Sequence, residues 1–177
     1  MLKKITKSNQ INKLLILLIL TTVGFSHPVV QNLDVERFMG RWYVYSIIPN
    51  FIEDGTNSYD DYKLNDDGTV DITYFALKNG EEKGIKQKGY INQNEPARWE
   101  IQFMKPYIPF YRAPYEVIIL EPNYNYMVVG YPGNSYGWIM SRTTTLKDET
   151  YTQILNQLEN NFGYDKSLFE KVIHNIK

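Results

Sequence analysis

Short stretches of alternating apolar and polar residues organise most of the chain. Within residues 97–103, for example, Trp99, Ile101 and Phe103 alternate with polar side chains. A period of two is typical of strands that bury one face. Turn-forming Asn, Asp, Gly and Pro residues separate these stretches. The pattern predicts eight strands, over residues 42–48, 58–64, 69–77, 84–91, 97–103, 114–120, 126–131 and 136–141.

Two other segments have a helical pattern. Residues 33–39 are typical of a short helical turn that leads into the first strand. A longer helix is predicted to begin near Lys147, with Thr145 and Asp148 as a capping pair, and to end at Gly163. Its apolar residues form one stripe at helical spacing, which is expected to cover the outside of the sheet. The stripe consists of Tyr151, Ile154, Leu155, Leu158 and Phe162.

The order of elements predicts an all-β fold, an eight-stranded antiparallel up-and-down β-barrel with the C-terminal α-helix packed on its outside. Closure removes the sheet edges and leaves an interior wide enough for one small ligand. An immunoglobulin-type sandwich is disfavoured, because the chain has no cysteine for the linking disulfide and a long helix follows the strands. The tail after Asp165 is expected to add a short turn and a final strand.

The first 26 residues have the pattern of a secretory signal. Four lysines accompany an apolar run that begins at Leu14, and a small-x-small site at Gly24-Phe25-Ser26 places cleavage before His27. The alternative is an uncleaved membrane anchor, but the apolar stretch has about half of the roughly 20 residues that a spanning helix needs. We therefore predict a signal peptide over residues 1–26 and a single domain over residues 27–177.

Charge narrows the choice of partners. Without the predicted signal the chain has 15 basic and 20 acidic residues, a formal charge of −5. This excess of acid argues against a nucleic-acid partner, which needs a basic face. It also disfavours docking on anionic membranes by charge alone.

The residue inventory disfavours catalysis. The chain has no cysteine, and its histidines, His27 at a frayed start and His174 near the end, lie outside the predicted barrel. Neither a Ser-His-Asp triad, thiol chemistry nor a histidine-rich zinc site is therefore expected. The adjacent acids at residues 60–61, 66–67 and 81–82 are interpreted as solvated groups at turns and strand ends. We predict no enzyme, no metal and no cofactor.

Two blocks near the ends of the predicted barrel resemble a known family. The first is Gly40-Arg41-Trp42, and the second is the segment YGWIMSR over residues 136–142. Together they resemble the first and last signature blocks of the lipocalins, most of all the bacterial outer-membrane lipocalins and apolipoprotein D-like members. The resemblance runs over residues 34–169. The middle family signature, Thr-Asp-Tyr, is absent, and residues 129–132 stand in that region.

The resemblance also bears on localisation. Bacterial members often carry an acylated cysteine at the cleavage site, whereas this chain has Ser26 and His27 there. The expected product is therefore exported, soluble and untethered, either periplasmic or released. Association with the outer membrane stays open.

The resemblance implies which residues close the barrel and which line it. Strand one starts and strand eight finishes at the closed end, so Arg142 is expected over the indole of Trp42, with Gly40 letting the chain pass closely beneath. If Arg142 points inward, alternation places Met140, Trp138 and Tyr136 on the same inner face. The inward parity of strands two to four stays open. The expected ligand-lining residues are Trp138, Trp99, Phe103, Tyr115, Val117, Tyr74 and Met140.

Loops 49–57, 78–83, 104–113 and 132–135 are expected to form the open end. The third holds aromatic residues between prolines, and it could act as a lid, a dimer contact or a lip that touches membrane lipid, or fold back onto its own barrel. Lys105, Arg112 and Tyr111 are expected at the mouth, near the head group of a ligand.

The resemblance implies a non-catalytic carrier of a small hydrophobic ligand, either a long-chain fatty acid or a lysophospholipid, in the bacterial envelope. The interior is expected to stay open, because the family keeps a cavity. The alternative is an interaction protein whose filled barrel presents the 104–113 loop to a protein or membrane partner. A third possibility is an enzyme that uses Asp or Tyr groups in the pocket. The ligand's identity and a homodimer stay open.

Overall fold

The computed structural model describes residues 26–50 and 53–175, and within them the chain forms nine strands and two α-helices. The predicted signal peptide, apart from Ser26, lies outside the described residues. The helices are α1 (Val35–Phe38) and α2 (Asp148–Phe162), followed by a 3-10 turn at Lys166–Leu168. The strands are β1 (Gly40–Ile47), β2 (Thr56–Leu64), β3 (Thr69–Lys78), β4 (Glu81–Ile91), β5 (Arg98–Lys105), β6 (Ala113–Leu120), β7 (Tyr126–Gly130), β8 (Gly137–Ser141) and β9 (Glu170–Lys171).

Strands β1 to β8 close into a barrel. Each pairs antiparallel with the next, and β1 completes the circle by pairing with both β2 and β8. At the seam, Tyr43 lies opposite Tyr59 of β2 and Ser141 of β8. Strand β9 adds to β1 beyond the barrel. The predicted eight-stranded up-and-down barrel is confirmed, and so are the short turn and strand in the tail.

The turn between β3 and β4 is tighter than predicted. Residues 78–83 were expected to be a loop, but the turn consists of Asn79 and Gly80 alone, with φ angles of 54° and 80°. Positive φ at both central residues fits a two-residue type I′ hairpin, for which Asn-Gly is favoured. Residues 81–83 pair with β3 instead. Because the side chains of residues 81–83 are charged, the hydrophobic pattern did not identify this part of the strand.

Helix α2 covers the outer wall of the barrel, as predicted. Its buried residues Ile154 and Leu158 belong to one apolar cluster with Val128 of β7 and Ile139 of β8. Gly163 ends the helix with φ 70°.

The predicted capping pair of this helix is wrong. Lys147 occupies the N-cap position without a side-chain capping hydrogen bond, because the helix begins too late in the chain for Thr145 to cap it. Two acids in the first turn, Asp148 and Glu149, favour the positive end of the helix dipole instead.

An aromatic cluster fills the closed half of the barrel. Phe38, the last residue of α1, contacts Trp42, Tyr62 and Trp99, with ring centroids 5.5, 5.5 and 5.2 Å away. All four rings are buried, and the tilted and edge-on arrangements are favourable for aromatic pairs. Helix α1 therefore acts as a plug, and the open half of the barrel is left for a cavity.

Candidate functional site

Arg142 joins the two ends of the barrel wall. Its Cζ lies 3.7 Å from the centroid of the Trp42 ring. Its Nη1 donates a hydrogen bond of 2.8 Å to the carbonyl of Arg41, and its Nη2 donates to the carbonyls of Arg37 and Phe38 at 2.9 and 3.1 Å. One side chain thus ties the residue after β8 to α1 and to the start of β1.

Gly40 was expected to let the chain pass closely beneath Arg142, but the structure gives a different reason for a glycine here. A Cβ at this position would lie 3.6 Å from Nη1 of Arg142, which is an ordinary contact. The backbone, however, has φ +90°, a conformation that other residues rarely adopt. Glycine is therefore favoured at position 40 by the backbone conformation, not by a lack of space for a side chain.

A cavity of about 470 Å³ occupies the open half of the barrel. Ligand pockets are typically about 300–1,000 Å³. Four predicted ligand residues line it, namely Trp138, Phe103, Tyr115 and Met140, as does the predicted mouth residue Tyr111. Sequence analysis did not single out the lining residues Ile85, Gln87, Ile108 and Val129 as ligand contacts.

Trp99 and Val117 lie below this cavity, so their prediction as lining residues is wrong. The Trp99 ring stacks beneath Tyr115, with centroids 5.2 Å apart, and is 1% exposed. Val117 is fully buried in the same cluster. Alternation places both on the inner face correctly, but it carries no information on the depth to which Phe38 fills the barrel.

The structure fixes the inner faces of β2 and β3. On β3, Val70, Ile72 and Tyr74 are all buried, as are Asp60 and Tyr62 on β2. Tyr74 therefore points inward, yet it does not line the cavity. It lies opposite Asp60 in the strand pairing, at 2% exposure. Its prediction as a lining residue is wrong, because its side chain is buried in the wall beside the cavity rather than on the cavity surface.

The two basic residues expected at the mouth lie outside the cavity. Arg112 holds its Cζ 3.8 Å from the ring centroid of Tyr90 and donates a hydrogen bond of 3.1 Å to Glu100. Lys105 is exposed at the end of β5. Neither side chain lines the cavity. Tyr90 and Glu100 hold Arg112 on the outer surface, and a contact of Lys105 or Arg112 with a ligand head group at the mouth stays a prediction.

The loop over residues 106–112 has two sides. On the inner side, Tyr111 stacks on Phe103 of β5, with ring centroids 6.5 Å apart, and both rings line the cavity. On the outer side, Tyr107 is 62% exposed and Phe110 is fully exposed. The loop thus folds partly over the mouth and presents two aromatic rings to the surroundings.

Two acidic side chains enter the cavity, Glu53 from the connection after β1 and Asp60 from β2. Glu53 Oε2 accepts a hydrogen bond of 2.5 Å from Trp138 Nε1. Asp60 Oδ2 accepts a long one, 3.5 Å, from the hydroxyl of Tyr62, which is 2.9 Å from the hydroxyl of Tyr115. One side of a largely aromatic cavity is therefore acidic.

The interpretation of Asp60 as a solvated turn residue is wrong. Its neighbour Asp61 points outward and pairs with Arg41 at 2.7 Å, but Asp60 is only 7% exposed. Alternation along β2 puts Asp60 on the same face as Tyr62, so an inward Tyr62 would have revealed it. Glu53 lies in a connection without periodicity, and no sequence signal marked it.

Burial changes the protonation of this acid pair. It raises the pKa of Glu53 to about 7, although the hydrogen bond from Trp138 opposes the shift. Burial, followed by the nearby Glu53 charge, raises the pKa of Asp60 well above its usual range. Both carboxyl groups of the pair therefore retain a proton to higher pH than a solvated carboxyl group does.

A second buried carboxylate, missed by sequence analysis, lies outside the cavity. Glu116 is 1% exposed and its side chain contacts the guanidinium of Arg98. His27 faces it with Nδ1 at 2.7 Å, while Nε2 of the same ring lies 2.6 Å from Asn134 Oδ1. His27 was expected at a frayed start but is 7% exposed, because this network fixes it to β6. The network anchors the chain's first described residues.

Among the described residues, no three side chains of His, Asp or Glu come together as a metal-binding group would. In the same part of the chain, no helix has the length and apolar character needed to cross a membrane.

Sequence comparison identifies relatives over most of the chain. Residues 33–174 match the model of a lipocalin-like domain. Temperature-induced lipocalin-1 of Arabidopsis thaliana is 33% identical over 150 residues, covering 81% of this chain and 80% of that protein. The outer membrane lipoprotein Blc of Citrobacter freundii is 31% identical over 131 residues, covering 72% of each. Apolipoprotein D of Mus musculus is 31% identical over 146 residues, covering 77% and 75%.

Solved structures show the same fold at lower identity. Insecticyanin from the tobacco hornworm Manduca sexta superposes with a TM-score of 0.66 at 18% identity, covering 83% of this chain and 84% of that one. Lobster apocrustacyanin A1 superposes with a TM-score of 0.61 at 19% identity, covering 82% of each. With the family-model match and the closed barrel, these findings show that the chain belongs to the lipocalin family.

Proposed function

We propose that this protein binds and carries a single-chain lipid in the bacterial envelope, without catalysis. The observation that carries the proposal is the cavity of about 470 Å³, enclosed by aromatic and aliphatic side chains above a filled aromatic floor. An acyl chain placed there would gain about 0.8 kcal/mol for each buried methylene. The similarity to Blc, named an outer membrane lipoprotein, supports the envelope setting.

Of the two ligands considered, the lining favours a lysophospholipid over a fatty acid. The described residues that line the cavity include Glu53 and Asp60 but no lysine, arginine or histidine. A fatty acid carboxylate inside would therefore lack a cationic partner, and burying an unpaired charge is costly. The phosphate of a lysophospholipid can instead lie at the mouth, towards Lys105 and Arg112 on the outer surface.

The polar groups of the cavity are better suited to binding than to catalysis. Burial raises the pKa of the hydroxyls of Tyr62 and Tyr115 well above the usual value, so the nucleophilic phenolate is disfavoured in both. The third hypothesis, an enzyme that uses Asp or Tyr groups, would require turnover of a bound lipid ester, which mass spectrometry of incubated ester would detect. We expect the ester to be recovered intact.

The outer side of the 106–112 loop supports contact with a membrane. Tyr107 and Phe110 expose their rings beside the mouth, so a lipid that left a bilayer there would have a short path into the cavity. Lys105 and Arg112 add two positive charges at the base of the loop, where lipid phosphates would lie. The filled-barrel alternative is disfavoured by the cavity itself.

The proposed function can be tested by titrating the delipidated protein with a C18 lysophospholipid and with the C18 fatty acid. Binding is followed by calorimetry and by tryptophan fluorescence, in wild type and in Trp138→Phe. We expect saturable micromolar binding of the lysophospholipid, with most of the fluorescence change lost in the variant while calorimetric binding persists. Absence of calorimetric binding of either lipid would overturn the proposal.

A further inference from the structure

We propose that Glu53 and Asp60 form a subsite for the ammonium group of a single-chain amphiphile, so that the cavity takes an amine-bearing ligand in preference to a carboxylate of equal chain length. This inference rests on the proposed function. It adds the chemistry of the ligand's polar end and the residues that recognise it.

The first argument is the unbalanced charge of the cavity. Buried acids are almost always paired with a cation or satisfied by hydrogen bonds. Asp60 is 7% exposed, and the one hydrogen bond described for its carboxylate, from Tyr62, is 3.5 Å long, at the limit of such an interaction. Glu53 accepts from Trp138 through one oxygen. Acceptor capacity therefore remains on both carboxylates, inside a space large enough for a ligand.

The second argument is a buried hydroxyl beside the pair. Tyr74 is 2% exposed, and burial, followed by the charges of Glu53 and Asp60, raises the pKa of its hydroxyl. By hydrogen-bond geometry this hydroxyl has no partner among the described residues, although the Ser58 side chain is near enough to oppose the shift of its pKa. A buried polar group without a good partner is costly in free energy, and its presence next to a ligand cavity points to a missing polar group.

The third argument is the aromatic character of the surroundings. Trp138, Tyr62 and Tyr115 contribute rings to the cavity wall around the acids. Ammonium groups bind favourably against aromatic faces and donate N–H groups to carboxylates, so the two kinds of side chain recognise the same ligand group. A calcium ion fits less well, because it takes roughly six to eight oxygen ligands.

The proposal predicts that binding releases a proton. The groups that face the pair are Tyr62 of β2, Tyr74 of β3, Tyr115 of β6 and Trp138 of β8. The charge of Asp61 also acts on Asp60, and that of Asp54 acts on Tyr74. None of these supplies a positive charge. An ammonium ion would therefore favour the ionised carboxylates and release a proton that burial retains on the pair, whereas a neutral ligand would release none.

The test compares three probes of one chain length at pH 7, dodecylamine, dodecanol and dodecanoate. Each is titrated calorimetrically below its micellar concentration into delipidated protein, in buffers of different ionisation enthalpy so that released protons are counted. We expect the amine to bind about tenfold or more tighter than the alcohol, with proton release, and dodecanoate to bind most weakly.

Variants test whether Glu53 and Asp60 cause the preference for the amine. Asp60→Asn and Glu53→Gln should each reduce the amine's advantage over the alcohol and its proton release, while the affinity for dodecanol changes by no more than about twofold. Asp61→Asn is the matched control, because this neighbour points outward and pairs with Arg41. It should leave all three affinities unchanged. If a cavity variant fails to fold, the wild-type comparison and its proton count decide the question.

A last pair of probes identifies the source of the ammonium group. Lysophosphatidylethanolamine and lysophosphatidylglycerol of equal chain length differ in that only the first carries an amine. A preference for the first that Asp60→Asn removes indicates a phospholipid head group, whereas a preference confined to dodecylamine indicates a simple long-chain amine. Equal binding of amine and alcohol without proton release would overturn the subsite and leave the carrier intact. Failure of all probes to bind would overturn the proposed function as well.

Discussion

Arg142 lies over Trp42, with its Cζ 3.7 Å from the ring centroid, and the same guanidinium donates hydrogen bonds to the carbonyls of Arg37, Phe38 and Arg41. The closed end of the barrel thus depends on a single side chain that joins the last barrel strand to the first. A planar group with several donors can satisfy an aromatic face and backbone carbonyls together, which the ammonium of lysine cannot do.

We therefore expect Arg142→Ala to lower the free energy of unfolding by about 2–4 kcal/mol, because it removes the cation–π contact and leaves backbone carbonyls without donors. Arg142→Lys should recover only part of this loss. Urea denaturation measures both. The control is Lys83→Ala, which breaks an exposed ion pair with Glu81 and should change stability by no more than about 0.5 kcal/mol. A loss for Arg142→Ala as small as that of the control would contradict the role of this closure.

The different depths of Trp99 and Trp138 make a second prediction. Trp138 lines the cavity, whereas Trp99 lies beneath Tyr115 and is 1% exposed. In Trp99→Phe, the total emission should fall while the change on adding a lysophospholipid persists. In Trp138→Phe, most of that change should disappear. A ligand response that follows Trp99 instead would place the ligand deeper than the cavity described here.

Sequence patterns predicted the strands of the barrel better than which levels of its interior are filled by side chains. Alternation placed Trp99, Met140 and Trp138 on the inner face because a period of two is a property of the strand itself. The depth of the cavity depends on Phe38, which comes from a four-residue helix that inserts into the barrel from outside the sheet. No local pattern encodes how far such a plug reaches, so filled and open levels of the interior could not be separated.

The acid pair was missed for a related reason. Asp60 stands beside Asp61 in the sequence, and two adjacent acids are typical of a solvated segment, yet in a strand they face opposite sides of the sheet. Fixing one inward residue of β2, such as Tyr62, would have been enough to predict Asp60. Glu53 enters the cavity from an irregular connection, where only the tertiary structure decides direction.

The network around Glu116 predicts a stability contribution that is confined to a range of pH. The hydrogen bond to Glu116 raises the pKa of His27 above 6.5, so this contribution is complete below pH 6.5 and is lost as the pH rises through the native value. For Glu116, burial opposes ionisation, but hydrogen bonds from His27 and Ser26 and the charge of Arg98 outweigh it and lower the pKa below 4.5. Its contribution is complete above pH 4.5 and is lost as the pH falls.

We accordingly expect Glu116→Gln to lower the free energy of unfolding by about 3 kcal/mol at pH 5.5, since removal of one partner leaves Arg98 and His27 without their common carboxylate. As the pH is raised from 5.5 to 9, progressive loss of the His27 proton should make the difference from wild type smaller. Urea denaturation at both values measures this. Glu100→Gln, which breaks the exposed pair with Arg112, is the control and should cost no more than about 1 kcal/mol at either pH. A difference that does not depend on pH would contradict the pairing with His27.

The exposed rings of the 106–112 loop make the last prediction. Tyr107 and Phe110 point away from the cavity, whereas Tyr111 lines it. The double variant Tyr107→Ser, Phe110→Ser should therefore slow the uptake of a lysophospholipid from vesicles severalfold, because less aromatic surface reaches the bilayer interface. Its affinity for the same lipid supplied below the micellar concentration should stay at the wild-type value. Stopped-flow fluorescence of Trp138 gives the rate, and calorimetry gives the affinity.

Two further variants separate a membrane contact from general effects of the loop. Tyr111→Ala should weaken affinity itself, since it removes part of the cavity wall. Leu168→Ser removes an aliphatic side chain that is 47% exposed on the tail, lies outside the 106–112 loop and does not line the cavity, and it should change neither rate nor affinity. If the double variant takes up lipid from vesicles as fast as wild type, the outer rings are not the route of transfer, and the loop acts only as a wall of the cavity. If rate and affinity fall together, Tyr107 and Phe110 support the shape of the loop rather than a contact with lipid.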